Sequence, residues 1–200
     1  MRRAKIDEEN RQLLSEQWRF RMAADAVTDA WARFPEVQRI AVIGSVAKAL
    51  WKEVPRFRQF RSAGIELWHE CKDLDLALWL DSQARLNELR RAKAHALTRL
   101  TRDDPMIGVA SHQVDIFLIE PGTDRYLGRL CDFNTCPKGK PACEVPGCGD
   151  TPFNKQIEGF EPAPDLLQPA QWATLYERGT GRLRSALDLP GPDEDAQAPS

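Results

Sequence analysis

Residues 72–80 read KDLDLALWL, and this stretch decides the fold. Leu74, Leu76, Leu78 and Leu80 alternate with Asp73, Asp75, Ala77 and Trp79. A period of two is that of a β-strand, because successive side chains point to opposite faces. The leucines make one buried face, so Asp73 and Asp75 share the opposite one.

On the C-terminal side, Asp81 or Ser82 can cap a helix whose apolar positions Leu86, Leu89, Ala96, Leu97 and Leu100 follow a 3.6 period as far as Asp103-Asp104-Pro105. A second strand is predicted at 113–120 (QVDIFLIE), stopped by Pro121-Gly122. On the N-terminal side, residues 6–34 contain neither proline nor glycine, and Leu14, Trp18, Met22, Val27, Trp31 and Phe34 recur at near-helical spacing, which predicts a long amphipathic helix ended by Pro35. Then come a short β-rich run at 37–43 (VQRIAVI), a turn at Gly44-Ser45, and a helix predicted over 46–51. Residues 46–72 form an insertion in which basic and aromatic residues interleave as Arg56-Phe57-Arg58-Gln59-Phe60-Arg61.

The resulting expectation is an α/β (α+β) chain: an N-terminal helical segment at 1–35, a mixed-sheet core at 36–122, a Cys-rich segment at 123–160, a C-terminal helix within 161–188 beginning near Pro169, and a disordered acidic tail at 189–200. Two hundred residues with 42% hydrophobic content supply a sizeable core. A net charge of −2 gives no general attraction to nucleic acid or anionic lipid, so any such contact relies on a local patch. No apolar run reaches the roughly 18 residues of a membrane span, and the start of the chain lacks an apolar signal core, so the expected location is cytoplasmic.

Four of the five cysteines, Cys131, Cys136, Cys143 and Cys148, form C-x4-C-x6-C-x4-C. In a reducing compartment clustered thiols favour a metal over disulfides or free thiols, and zinc takes four thiolates tetrahedrally. Four protein ligands leave no open position, so this Zn²⁺ is structural. Cys71 reads as a small core residue.

Three features then stand in order: Gly44-Ser45 at a strand end, Asp73 and Asp75 on one face of a strand, and Asp115 in a later apolar strand. On adjacent strands the three carboxylates can converge, where they repel unless a cation compensates. Mg²⁺, or Mn²⁺ in its place, suits carboxylate oxygens and completes its coordination from water and substrate phosphates. Gly44 allows close approach of a phosphate and Ser45 offers a hydroxyl and an amide, while Lys48, Arg56 and Arg58 are further candidates to meet phosphate and Phe57 to stack a base. His69 and His112 are placed to approach the site, and His95 lies on a helical face.

IAVIGS (40–45), DLDLALW (73–79) and VDIF (114–117) together resemble the glycine-serine turn, paired-carboxylate strand and third-carboxylate strand of the DNA polymerase beta-like nucleotidyltransferase superfamily, especially its small bacterial members. The resemblance implies a mixed sheet with flanking helices, catalytic metal on Asp73, Asp75 and Asp115, and transfer of a nucleoside monophosphate from a nucleoside triphosphate such as ATP to a hydroxyl on a small molecule, an RNA end or a protein. The long 46–72 insertion departs from the family pattern. The alternative is a catalytically inactive binding protein on the same fold, such as an antitoxin-like partner of a HEPN-type ribonuclease or a nucleic-acid contact module.

Elemental mass spectrometry of the purified chain is expected to find about one zinc per molecule, as one four-thiolate site requires. Near-zero zinc would count against that site.

Overall fold

The computed structural model describes residues 3–130 and 172–193. Its centre is a six-stranded mixed sheet of order β6-β5-β4-β1-β7-β8. The strands are β1 (Val37–Ile43), β4 (Leu74–Leu80), β5 (Val114–Ile119), β6 (Tyr126–Leu130), β7 (Trp172–Glu177) and β8 (Gly181–Arg182), and a separate two-stranded ribbon pairs β2 (Lys52–Glu53) with β3 (Leu67–Trp68). Among the described residues only the β4–β5 pair is parallel, joined through helix α3 (Leu86–Asp103), as a parallel connection requires a crossover. Helix α1 (Arg3–Trp31) runs unbroken for 29 residues, and a short helix α2 (Arg58–Arg61) lies in the insertion.

The alternation in β4 is realised, but both faces of the strand are buried. Leu74, Leu76, Leu78 and Leu80 pack with Phe20, Val27 and Trp31 of α1 and Leu86, Leu89 and Leu97 of α3. Ala77 and Trp79 face a smaller cluster with Ala41, Ile43, Ile119 and Tyr126. A strand sandwiched this way is central, and its sequence is apolar almost throughout because neither face meets water. Trp79 keeps its indole N–H satisfied by donating to Asp124, 2.6 Å away. Trp31 donates from its indole to the Leu89 carbonyl at 2.9 Å, tying the end of α1 to α3.

Several expectations are corrected. The helix predicted over 46–51 is instead a four-residue 3-10 turn, Gly44–Ala47. Side chains of α1 take the carbonyls that a helix there would use: Arg21 donates to Val46 at 3.2 Å and to Lys48 at 3.0 Å, and Gln17 donates to Lys48 at 2.9 Å. The C-terminal helix is replaced over its described part by β7 and β8. WATLYE buries Ala173 and Leu175 alternately and pairs with β1, covering what would otherwise be an open sheet edge. Tyr126–Leu130, assigned to the Cys-rich segment, is a sheet strand paired with β5. Neither Asp81 nor Ser82 caps α3; Arg85 occupies that position without a side-chain cap. The four clustered cysteines lie outside the described residues, as do residues 194–200 of the expected tail. The first part of that tail is tied down: Leu189 is buried, and the Asp193 amide donates to Leu50.

Arg21 is 5% exposed and donates to four backbone carbonyls, those of Val46, Lys48, Leu189 (2.9 Å) and Pro190 (2.8 Å). Replacing it with methionine keeps an unbranched stem but leaves these acceptors without their donor. Arg21→Met is expected to lower unfolding free energy by about 3 kcal/mol, the order of several unpaired buried polar groups. Urea denaturation followed by circular dichroism measures this, and a loss below about 0.5 kcal/mol would show that the clamp is dispensable.

Candidate functional site

The strand register assembles the site. Asp75 is the direct partner of Asp115 across the parallel β4–β5 pair, and on its other side it opposes Ile43, the last residue of β1. The chain then turns at Gly44 with φ +69°, in the left-handed region that glycine adopts without strain. A Cβ on Gly44 would lie 2.8 Å from Asp75 Oδ2, so any other residue here would push the carboxylate aside. Glycine here serves both the conformation and the close approach to the carboxylate.

Asp73 is exposed in the bend just before β4, which begins at Leu74; it therefore reaches the site from a loop. Its charge, with that of Asp115, still acts on Asp75. Burial first, then the Asp115 and Asp73 carboxylates, push the Asp75 carboxyl up to about 7, while Arg129 on β6 opposes the rise. Arg129 lies 3.0 Å from Asp115 and was not singled out from the sequence, since a single arginine in YLGRL reads as an ordinary outward residue. Among the described residues no three Asp, Glu, His or Cys side chains are already gathered as a ligand set for a metal ion. The donor chemistry nevertheless suits a hard divalent cation: carboxylate oxygens that resist joint ionisation, brought together by strand register. Asp75 and Asp115, with Asp73, are the residues that would hold it.

A cavity of about 560 Å³ opens beside Asp75 and Asp73. Ser45 forms part of its wall, as do Glu9 and Leu13 of α1 and Glu53, Arg56, Phe57, Trp68 and His69 of the insertion. The expected insertion thus becomes a second wall. Arg56 and Lys72 bring positive charge to the lining, and Phe57 is 54% exposed beside it. Lys48 and Arg58 do not line the cavity: Lys48 lies 5.6 Å over the Trp51 ring, and Arg58 opens α2 on the exposed surface. His69 stacks on Trp51 with ring centroids 3.8 Å apart, and its Nδ1 is 3.2 Å from Glu53. His112 is exposed in the 3-10 turn preceding β5, and His95 lies on α3 at a different cavity.

Beneath the turn, Cys71 is fully buried, as expected of a core residue. Burial pushes its thiol up to about 11, partly offset by a hydrogen bond with the Ser45 side chain. A thiol held this firmly protonated anchors Ser45 and is no nucleophile. Lys93, fully buried on α3, donates to the carbonyls of Ser111 (2.9 Å) and Val114 (3.1 Å), fixing the start of β5 and with it Asp115. Neither Arg21 nor Lys93 stood out in the sequence, since charged residues on amphipathic helices are usually solvated.

No family model, curated protein or solved structure matches the chain. Among the described residues no helix is long and apolar enough to cross a membrane.

A carboxyl with a folded pKa near 7, above its ordinary 3.8, holds its proton more tightly in the folded state. Its stabilising contribution is complete below about 4 and is lost as pH rises from there through about 7. Asp75→Asn removes this dependence. In thermal melts the variant is expected to gain on wild type progressively between pH 4 and 7, with the gap constant above, and millimolar Mg²⁺ is expected to narrow that gap by stabilising wild type alone. Parallel pH curves for the two proteins would refute the coupling.

Proposed function

We propose that this chain is a divalent-metal-dependent nucleotidyltransferase of the DNA polymerase beta-like superfamily, transferring a nucleoside monophosphate from a nucleoside triphosphate to an acceptor hydroxyl. The observation that carries the reading is the Asp75–Asp115 register pair, set directly against a glycine turn whose Ser45 lines the adjoining cavity. Asp73, Asp75 and Asp115 would hold Mg²⁺ or Mn²⁺. When bound, the metal supplies the charge neutralisation that lets an anionic triphosphate be attacked.

The chain's own residues do the positioning. Gly44 presents bare backbone, so a phosphate can approach without meeting a Cβ. Ser45 offers a hydroxyl and an amide. Arg56 and Lys72 bring positive charge to the same cavity, and Phe57 offers a ring face for a base. In the reaction the acceptor oxygen bonds to the α-phosphorus, the bond to pyrophosphate breaks, and the acceptor proton passes to a carboxylate or to solvent. Little covalent work falls to the protein, which is consistent with a site built of oxygens and backbone.

One observation favours a second reading. Asp115 is already paired with Arg129, and a carboxylate occupied in this way is less available to a metal. That arrangement suits an inactive fold used for binding, including the antitoxin-like and nucleic-acid roles. A structural Zn²⁺ on Cys131, Cys136, Cys143 and Cys148 is also part of the proposal.

The test is pyrophosphate release from each of the four nucleoside triphosphates with Mg²⁺ and a panel of hydroxyl acceptors. Asp75→Asn is expected to reduce turnover by about a thousandfold, corresponding to several kcal/mol of lost charge stabilisation at about 1.4 kcal/mol per tenfold. Absence of turnover with every triphosphate, alongside unchanged binding of a partner by Asp75→Asn, would establish the second reading.

A further inference from the structure

A second cavity, of about 570 Å³, lies where the end of α1 meets α3, away from the carboxylates. Its lining is strongly basic: Arg33, Arg85, Arg99 and Arg102, with His95 among them. The chain as a whole carries a net charge of −2, so this concentration runs against the average. The floor is Ala30, Ala92, Ala96 and Phe34.

The pairing of these cations is uneven. Arg85 reaches Glu36 at 3.5 Å and Glu88 at 2.5 Å, and its guanidinium lies 4.7 Å over the Phe34 ring. Among the described residues Arg102 pairs only with its neighbour Asp103, at 3.4 Å, with both side chains largely in solvent. Arg33 and Arg99 are exposed and have no acidic partner among the described residues. From Arg85 at the start of α3 to Arg102 in its last turn is about 25 Å at 1.5 Å per residue.

We propose that this groove binds the backbone of single-stranded nucleic acid. Cations strung along a helix suit a linear polyanion, and arginine pairs with phosphate oxygens bidentately. A length of about 25 Å falls within the several-nucleotide footprints of single-strand binding surfaces. An acidic protein helix fits less well, because the floor offers three alanine methyls and a phenylalanine ring already covered by Arg85, with no large apolar anchor site. A small phosphate compound would need converging charges, whereas these are spread out. The proposal does not depend on catalysis at Asp75.

Fluorescence anisotropy of the full chain with a labelled mixed-sequence 20-nucleotide single strand, in RNA and DNA arms, tests it. Wild type is expected to bind at about 50 mM salt, and the double variant Arg33→Glu with Arg99→Glu to bind at least about tenfold more weakly. The slope of log affinity against log salt should shrink by about 1.4, as two lost phosphate contacts imply for a single strand. Equal affinity in both arms assigns recognition to phosphate, and an RNA preference assigns part of it to the 2′-hydroxyl; each supports the groove. Both positions are exposed, and matched thermal melts check folding. If charge reversal impairs folding, Arg33→Gln with Arg99→Gln carries the test, with a weakening of about threefold or more expected. Unchanged affinity in the folded variant, no binding of either strand by wild type, or equally tight binding of a polyglutamate peptide of similar length would overturn the proposal.

Discussion

A buried guanidinium organises the site. Arg21 sits in the middle of α1 and collects four carbonyls from two segments far apart in sequence, the end of the Gly44–Ala47 turn and residues 189–190. Burial lowers the affinity of Arg21 for its proton, yet guanidinium stays charged at any ordinary pH, so the cost of burying it is met only while those acceptors surround it. The shape of the turn follows from that requirement. Its carbonyls point at α1, leaving Gly44 and Ser45 against Asp75 and its cavity. Lys93 does the corresponding work on α3, holding the entry to β5 through two carbonyls. Two cations aimed at backbone from the helical layer thus position the acidic residues without touching them.

The sheet works against this order in one place. Parallel register sets Asp75 opposite Asp115, an arrangement that costs energy when both are charged. Arg129 relieves part of it from β6 by pairing with Asp115, and proton uptake by Asp75 relieves more. A like-charge pair kept at a strand end, close against a glycine turn, is a place where the fold carries an electrostatic cost.

Much of this was legible in the order of residues, because period-two alternation and strand stops are local. KDLDLALWL and QVDIFLIE declared themselves as strands, and IAVIGS as a strand ending in a turn; the pairing of Asp75 with Asp115 needed only that β4 and β5 be neighbours. What escaped was long-range. WATLYE lies between Pro169 and Gly179, which mimic helix boundaries, and its strand form depends on the open edge of β1. The 46–51 helix fails because Gln17 and Arg21, some thirty residues upstream, claim its carbonyls. Arg21, Lys93 and Arg129 look in sequence like any charged residues on helix or strand; only tertiary burial and proximity distinguish them.

Helix α1 borders both cavities. Leu13 borders the cavity beside Asp75, and Ala30 borders the arginine groove, about 25 Å further along an unbroken helix. A continuous rod of that length is packed on the core through Phe20, Val27 and Trp31 and held by Arg21. It is shared by the walls of both cavities, so a break in the helix between Leu13 and Ala30 would disturb both linings at once.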